Sequence, residues 1–214
     1  MDDGAHRAHS ELGFDEASWE ERYRAAPALW SGRANVQLVA EATPLPPGRA
    51  LDAGSGEGGD ALWLARRGWR VTAADFSTVA LARAAAEAER LGSEVAGRVE
   101  WVHADLTRWT PPPAAYDLVS AQYFHLPAAD RDPALARLAA AVAPGGSLLV
   151  VGHRPSELHT GMPEMFFTAQ HVAGLLDPAA WDVVVCEDRP RTASGPAGHE
   201  LPVADTVLRA RRRA

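Results

Sequence analysis

The chain has 214 residues, 47% of them hydrophobic and 23% charged, with a net charge of −7. That length suits one domain with a single core, and the acidic balance argues against a nucleic-acid binder, which carries a basic excess. A sole cysteine, Cys186, excludes an internal disulfide and a cysteine-based zinc cluster. It lies in Val183-Val184-Val185-Cys186 and reads as an inert core thiol. No stretch has the length of a membrane span, and the N-terminus is charged where a signal peptide needs an apolar core. A cytoplasmic, membrane-free protein is expected, as a monomer or homodimer.

Residues 1–12 are polar and read as a mobile end. Phe14 to Tyr23 reads as a helix capped by Asp15, and Pro27 breaks it. Asn35 to Ala42 is a second helical piece, ended by Pro44, Pro46 and Pro47. Residues 1–44 are too short to bury their own core and are expected to form a helical lid on a main domain, 45–214. From Arg49 the pattern alternates. Strands are expected at Arg49–Ala53, Arg70–Ala74, Val99–His103, Tyr116–Ala121 and Ser147–Gly152. Helices fall between them at Gly58–Arg67, Ser77–Leu91 and Pro127–Ala143, and another surrounds Ala169–Leu176. Trp181–Asp188 and Val203–Arg211 are the last strands, and no helix fits between them. The expected fold is α/β: a Rossmann-like, mostly parallel seven-stranded sheet with an antiparallel terminal strand and helices on both faces.

The stretch Leu51-Asp52-Ala53-Gly54-Ser55-Gly56-Glu57-Gly58-Gly59 joins the first strand to its helix. Glycines let a ligand approach the main chain, and free N–H groups at a helix start favour polar ligand groups. Gly54-x-Gly56-x-x-Gly59 matches the dinucleotide fingerprint, with Asp75 about twenty residues on. Asp52 changes the balance. A carboxylate at the mouth of the turn repels a pyrophosphate and attracts a cation. S-adenosylmethionine (SAM) carries an ammonium and a sulfonium and no phosphate. A nicotinamide-dependent oxidoreductase and a non-catalytic SAM-binding regulator are the rival readings.

Leu51 to Gly58 resembles the first motif of the class I SAM-dependent methyltransferases, and Ala74-Asp75-Phe76-Ser77 resembles the second. His103-Ala104-Asp105-Leu106 resembles the adenine-contact motif, Tyr116 to Ser120 the fourth, and Pro144-Gly145-Gly146 the turn before the fifth strand. Trp19-Glu20-Glu21-Arg22-Tyr23 is similar to small-molecule methyltransferases of the thiopurine and tellurite-resistance type. The resemblance implies SAM as cofactor and transfer of its methyl group to a small-molecule acceptor through O, S or N. It implies that the backbone of Ala53, Gly54 and Gly56 lies against the methionine part, with Asp52 ordering the loop. Asp75 then accepts the ribose hydroxyls. Phe76 packs on the adenine, Asp105 and the Leu106 N–H meet its edge, and Ala121 and Gln122 face the methyl end. Trp30 and Arg33 in the lid either close over the cofactor, with the Arg on its carboxylate, or form an ordinary surface pair.

His125, His153 and His199 are each expected on the cofactor face. His125 is the candidate base, and Tyr123, His153 and His199 are candidate acceptor contacts. Local loop histidines are the plainer reading, and no resident metal is expected because no close ligand spacing joins them. Ser120-Ala121-Gln122-Tyr123 stands where an Asn/Asp-Pro-Pro-aromatic signature would mark amino methylation of nucleic acid or protein.

Overall fold

The computed structural model describes residues 15–155, 163–194 and 200–214. Two short helices come first, α1 (Glu16–Ala25) and α2 (Val36–Ala42). Each starts where a polar side chain satisfies a free amide: Asp15 accepts from Ser18 N at 2.8 Å and Asn35 from Gln37 N at 2.8 Å. Alternation follows: β1 (Arg49–Ala53), α3 (Gly59–Arg66), β2 (Arg70–Asp75), α4 (Thr78–Leu91), α5 (Ser93–Ala96) and β3 (Val99–His103). Then come β4 (Tyr116–Gln122), α6 (Ala128–Ala141), β5 (Val142–His153), α7 (Ala169–Gly174), β6 (Trp181–Ser194) and β7 (Glu200–Arg212). Ser77 caps α4 by accepting from Ala80 N at 3.1 Å. The short α5 was not anticipated, because Gly92 reads as a stop; the chain turns there at φ 113° and resumes helix.

The seven strands form one sheet in the order β3-β2-β1-β4-β5-β7-β6. Strands β1 to β5 pair in parallel, and β7 runs antiparallel to both β5 and β6. The reversed strand therefore sits inside the sheet, with β6 at the edge. The central strands are buried on both faces. Leu51, Ala53, Val119, Leu148 and Val150 pack on one side, with Leu135 and Leu138 of α6 and Val172 of α7. Ala50, Leu118, Leu149 and Val151 pack on the other, with Leu38 of α2 and Leu64 of α3. Such near-continuous apolar runs are what a parallel sheet covered by helices requires.

Three boundaries differ from expectation. β5 starts at Val142, which pairs with Tyr116 before a register shift, so Pro144-Gly145-Gly146 is an irregularity within the strand and not a turn ahead of it. β6 and β7 are longer than their expected spans, paired from Trp181↔Arg212 to Ser194↔Glu200. Pro190 and Pro202 fall within the added stretches, and a proline is tolerated where a strand has an unpaired side. β6 is an edge, and β7 has lost its β5 partner beyond Asp205. Cys186 is half-buried on that edge strand and not a full core residue. Burial, helped by Asp188, pushes its thiol up, which keeps it unreactive. Among the described residues no helix is long and apolar enough to cross a membrane.

Candidate functional site

The glycine-rich turn is folded against the end of β2. Gly54 N and Ser55 N both donate to Ala74 O, at 2.8 and 3.1 Å. Asp75 then gathers the loop and the start of α4. Its Oδ2 accepts from Gly56 N and its Oδ1 from Ser77 N, each at 2.8 Å. Burial pushes the Asp75 carboxyl up, while the amides of Ser77, Gly56 and Phe76 oppose that push. Gly58 has φ 81°, and a Cβ there would come within 2.8 Å of both Ala84 Cβ and Trp101 Cη2. A side chain at this position would wedge the turn off its helix and sheet supports.

Asp52 is not at the mouth of the turn. It lies within β1, only 1% exposed, opposite Ser120 in the β4 register. Burial pushes its carboxyl well above the usual range, and the charges of Asp60 and Asp75 add to the push; the Ala61 amide opposes it. Asp60 accepts from Asn35 N at 2.6 Å and is itself pushed up to about 6 by burial. Asp52 Oδ2, Ser55 Oγ and Gln122 Oε1 are buried without a hydrogen-bond partner. Gln122 Nε2 donates to Ser120 Oγ at 2.8 Å, leaving its carbonyl oxygen unmatched. Buried oxygens lacking donors are costly. A ligand ammonium supplies N–H donors and positive charge together, so these residues fit the amino-acid end of SAM.

The segment before β1 is bonded over this loop. Glu57 Oε2 accepts from Leu29 N and Trp30 N at 3.0 Å each, and its Oε1 pairs with Arg83 at 2.9 Å. Arg83 also donates to Tyr23 O at 2.6 Å and Ala26 O at 2.8 Å. Glu20 of α1 accepts from Thr78 N and Thr78 Oγ1 at 2.8 and 2.7 Å. Trp30 Nε1 donates to Tyr23 OH at 3.1 Å, and Trp19 packs against both rings. The Tyr23 hydroxyl sits 3.1 Å from where a Cβ on Gly56 would be. Trp30 remains 54% exposed. Arg33 is exposed, and its carbonyl lies against Gly59, 3.0 Å from the Cβ position there. Sequence reasoning missed Glu20, Glu57 and Arg83. Glu57 sits in a variable slot of the glycine motif, and nothing local points to partners 26 to 28 residues away.

On the other flank Phe76 is half-buried, and its carbonyl meets His103 Nε2 at 2.9 Å. Asp105 Oδ1 accepts from Thr107 N and Oγ1, at 2.9 and 2.7 Å, which shapes the loop; Oδ2 lies 3.8 Å from Arg108 Nε. Leu106 is buried in the core. Ala121 is fully buried there too, and Gln122 follows it, half-buried, at the end of β4.

Beyond the ends of β4 and β5, Tyr123, His125 and His153 come together. The Tyr123 and His153 rings are 4.4 Å apart, and His125 stacks on His153 at 5.0 Å. Tyr123 holds a left-handed backbone, φ 52°, pinned by its N–H to Val151 O at 2.7 Å. Such a conformation costs about 1–3 kcal/mol and persists only where surroundings impose it. The anchor is Asp205 of β7, which is fully buried. It accepts from Arg191 Nε at 2.7 Å, Tyr123 OH at 3.2 Å and Gln37 Nε2 at 3.2 Å. Burial and the Asp205 charge push the Tyr123 phenol up to about 12. Arg154 pairs with Asp188 at 3.0 Å. His199 lies outside the described residues.

A family model described as a methyltransferase domain matches residues 50–146, from β1 to within β5. An uncharacterized methyltransferase of Mycobacterium tuberculosis is 33% identical over 136 residues, covering 62% of this chain and 65% of that protein. The chain thus spans just under two thirds of the length of that curated relative. TehB from Haemophilus influenzae has a similar fold, with 17% identity, a TM-score of 0.66, and coverage of 84% of this chain and 62% of that one. So does 1,6-didemethyltoxoflavin-N1-methyltransferase of Burkholderia thailandensis, solved with its acceptor and S-adenosylhomocysteine. There the identity is 22%, the TM-score 0.67, and the coverage 99% of this chain and 91% of that one. The glycine turn anchored on Asp75, the reversed strand inside the sheet and these relatives agree: the chain has the Rossmann-like methyltransferase fold, and its residues 50–146 match a methyltransferase domain.

Proposed function

We propose that this chain transfers the methyl group of SAM to a small-molecule acceptor and releases S-adenosylhomocysteine. The observation that carries the reading is the set of buried, unpartnered oxygens on Asp52, Ser55 and Gln122 beside a glycine turn. They call for a cationic donor and would repel a dinucleotide pyrophosphate. SAM supplies the reactive sulfonium methyl, so the protein's work is to align the reactants and exclude water. The backbone of Ala53, Gly54 and Gly56 flanks the methionine part. Asp75 has lone pairs left after its two amide bonds, and these accept the ribose hydroxyls. Phe76 covers the adenine, with Asp105 and the Leu106 N–H at its edge. The 1–44 segment serves as the lid, with Trp30 over the cofactor and Arg33 toward its carboxylate. Tyr123, His125 and His153 face the acceptor.

Calorimetric titration with SAM and with NAD tests the reading. SAM is expected to bind and NAD not; NAD binding without SAM binding would overturn it. Asp75→Ala should weaken SAM binding by about 1.5–3 kcal/mol, about 10- to 150-fold, for loss of a charged hydrogen-bonding group. Unchanged affinity in a folded variant would remove Asp75 from the site.

A further inference from the structure

Two imidazole nitrogens on the acceptor side face groups that can only donate. Arg191 Nη2 lies 3.2 Å from His153 Nδ1, and the His153 main-chain N–H points at His125 Nε2 over 3.2 Å. A guanidinium and a peptide N–H have no lone pair to offer. His153 Nδ1 and His125 Nε2 are therefore the lone-pair nitrogens, and in the neutral rings the protons sit on His153 Nε2 and His125 Nδ1. Asp205 Oδ1 lies 3.8 Å from His153 Nδ1, within ion-pair range but beyond hydrogen-bond distance, so the Arg191 N–H at 3.2 Å is the hydrogen-bond partner of that nitrogen. Its lone pairs are already turned to Arg191 and Tyr123. Tyr123 completes the pattern, since its hydroxyl proton is committed to Asp205.

We infer that this cluster orients the acceptor and does not deprotonate it, so the acceptor enters already ionised, as a planar phenolate or enolate oxygen. The inference rests on the methyl-transfer reading. The lone pair that would make His153 a base is spent on Arg191 of β6, and that of His125 on the main-chain N–H of His153. The rings themselves form a ledge: His153 stands 4.4 Å from Tyr123 and 5.0 Å from His125, those two are 6.1 Å apart, and Phe166 lies 5.1 Å from His125. Phe124 stands beside the cofactor loop, 3.9 Å from the Cβ position of Gly54. Flat rings grouped in this way suit a flat conjugated ligand. In the reaction an O–C bond forms between the acceptor oxygen anion and the methyl carbon. The S–C bond breaks and its electron pair stays on sulfur, turning the sulfonium into a neutral thioether. The acceptor charge is cancelled, and no proton passes to the protein.

Long-range nitrogen–proton NMR correlation of histidine-labelled protein reads the tautomers directly, with His125→Gln and His153→Gln for assignment. The expected neutral forms are Nδ1–H for His125 and Nε2–H for His153; the opposite forms would overturn the inference. Para-nitrophenol, titrated into the S-adenosylhomocysteine complex and followed by visible absorbance, reads the acceptor class. Binding as phenolate is expected, with an apparent pKa lowered by about one unit, about tenfold in preference over the phenol. Absence of binding, or preference for the phenol, would overturn the inference. SAM titration separates the two levels: no SAM binding removes the underlying function, whereas SAM binding with failure here removes only the acceptor class.

Discussion

Replacing Asp205 with asparagine takes one charge from the centre of the acceptor-side network while keeping the shape of the side chain. Burial pushes this carboxyl up, yet the groups around it, His153 first and then Arg191 and Gln37, hold it at about 2, below the ordinary 3.8. That lowering is worth about 2 kcal/mol. The side chain is fully buried, so no discount for solvent screening applies. Because the folded value is depressed, the contribution is present above pH 3.8 and is lost as pH falls through about 2. Asp205→Asn should therefore cost about 2 kcal/mol in urea unfolding, equally at about pH 7 and about pH 5, with the gap closing only in acid. Near-UV titration gives a second readout. Without the Asp205 charge, the Tyr123 phenol should fall from about 12 back toward 10. A cost below about 0.5 kcal/mol, or one that changes between pH 7 and 5, would refute the assignment of Asp205 as a charged anchor.

Arg83→Met removes the ties to Glu57, Tyr23 O and Ala26 O. Since Arg83 is partly exposed, we expect about 1–2 kcal/mol of lost stability, and faster trypsin cleavage at Arg22 and Arg24 checks that the N-terminal segment has loosened. Gly58→Ala should cost about 2–4 kcal/mol in a thermal melt, from the left-handed backbone and the close contacts to Ala84 and Trp101. For Asp52 the folded carboxyl is raised, so it contributes stability below the unfolded value and loses it as pH rises through the folded one. Ligand-free Asp52→Asn should thus melt higher than the parent under mildly alkaline conditions. Its SAM affinity should be weaker and flat with pH, where the parent's tightens as Asp52 ionises; calorimetry across pH reads both.

The sheet was legible because its signals are local. Apolar runs between glycines and prolines marked β1 to β4 to within a residue, and Ser77 announced the start of α4. The last two strands run past their expected ends through Pro190 and Pro202, and only pairing across the finished sheet shows why prolines are tolerated there. At the site, the glycines and Asp75 declare themselves by spacing. Asp52 was recognised as significant but placed wrongly, since a strand position one or two residues from a turn does not reveal whether it faces solvent or core. Glu57, Arg83, Gln37 and Asp205 carry their roles through partners far away in the chain, up to 168 residues for Gln37 and Asp205. No window along the sequence contains that information.

The interior position of β7 has a consequence for how the protein matures. Of the seven strands it is translated last, yet it lies between two made before it. A nascent chain ending after β6 must leave β5 and β6 without the strand that pairs with both, and it lacks Asp205, the carboxylate that accepts from Tyr123 OH and Arg191 Nε. The cofactor loop can assemble from the first half of the molecule, whereas the ledge opposite it must wait for a final strand to slide home. Assembly of the Tyr123–His153 cluster is thereby tied to completion of the sheet.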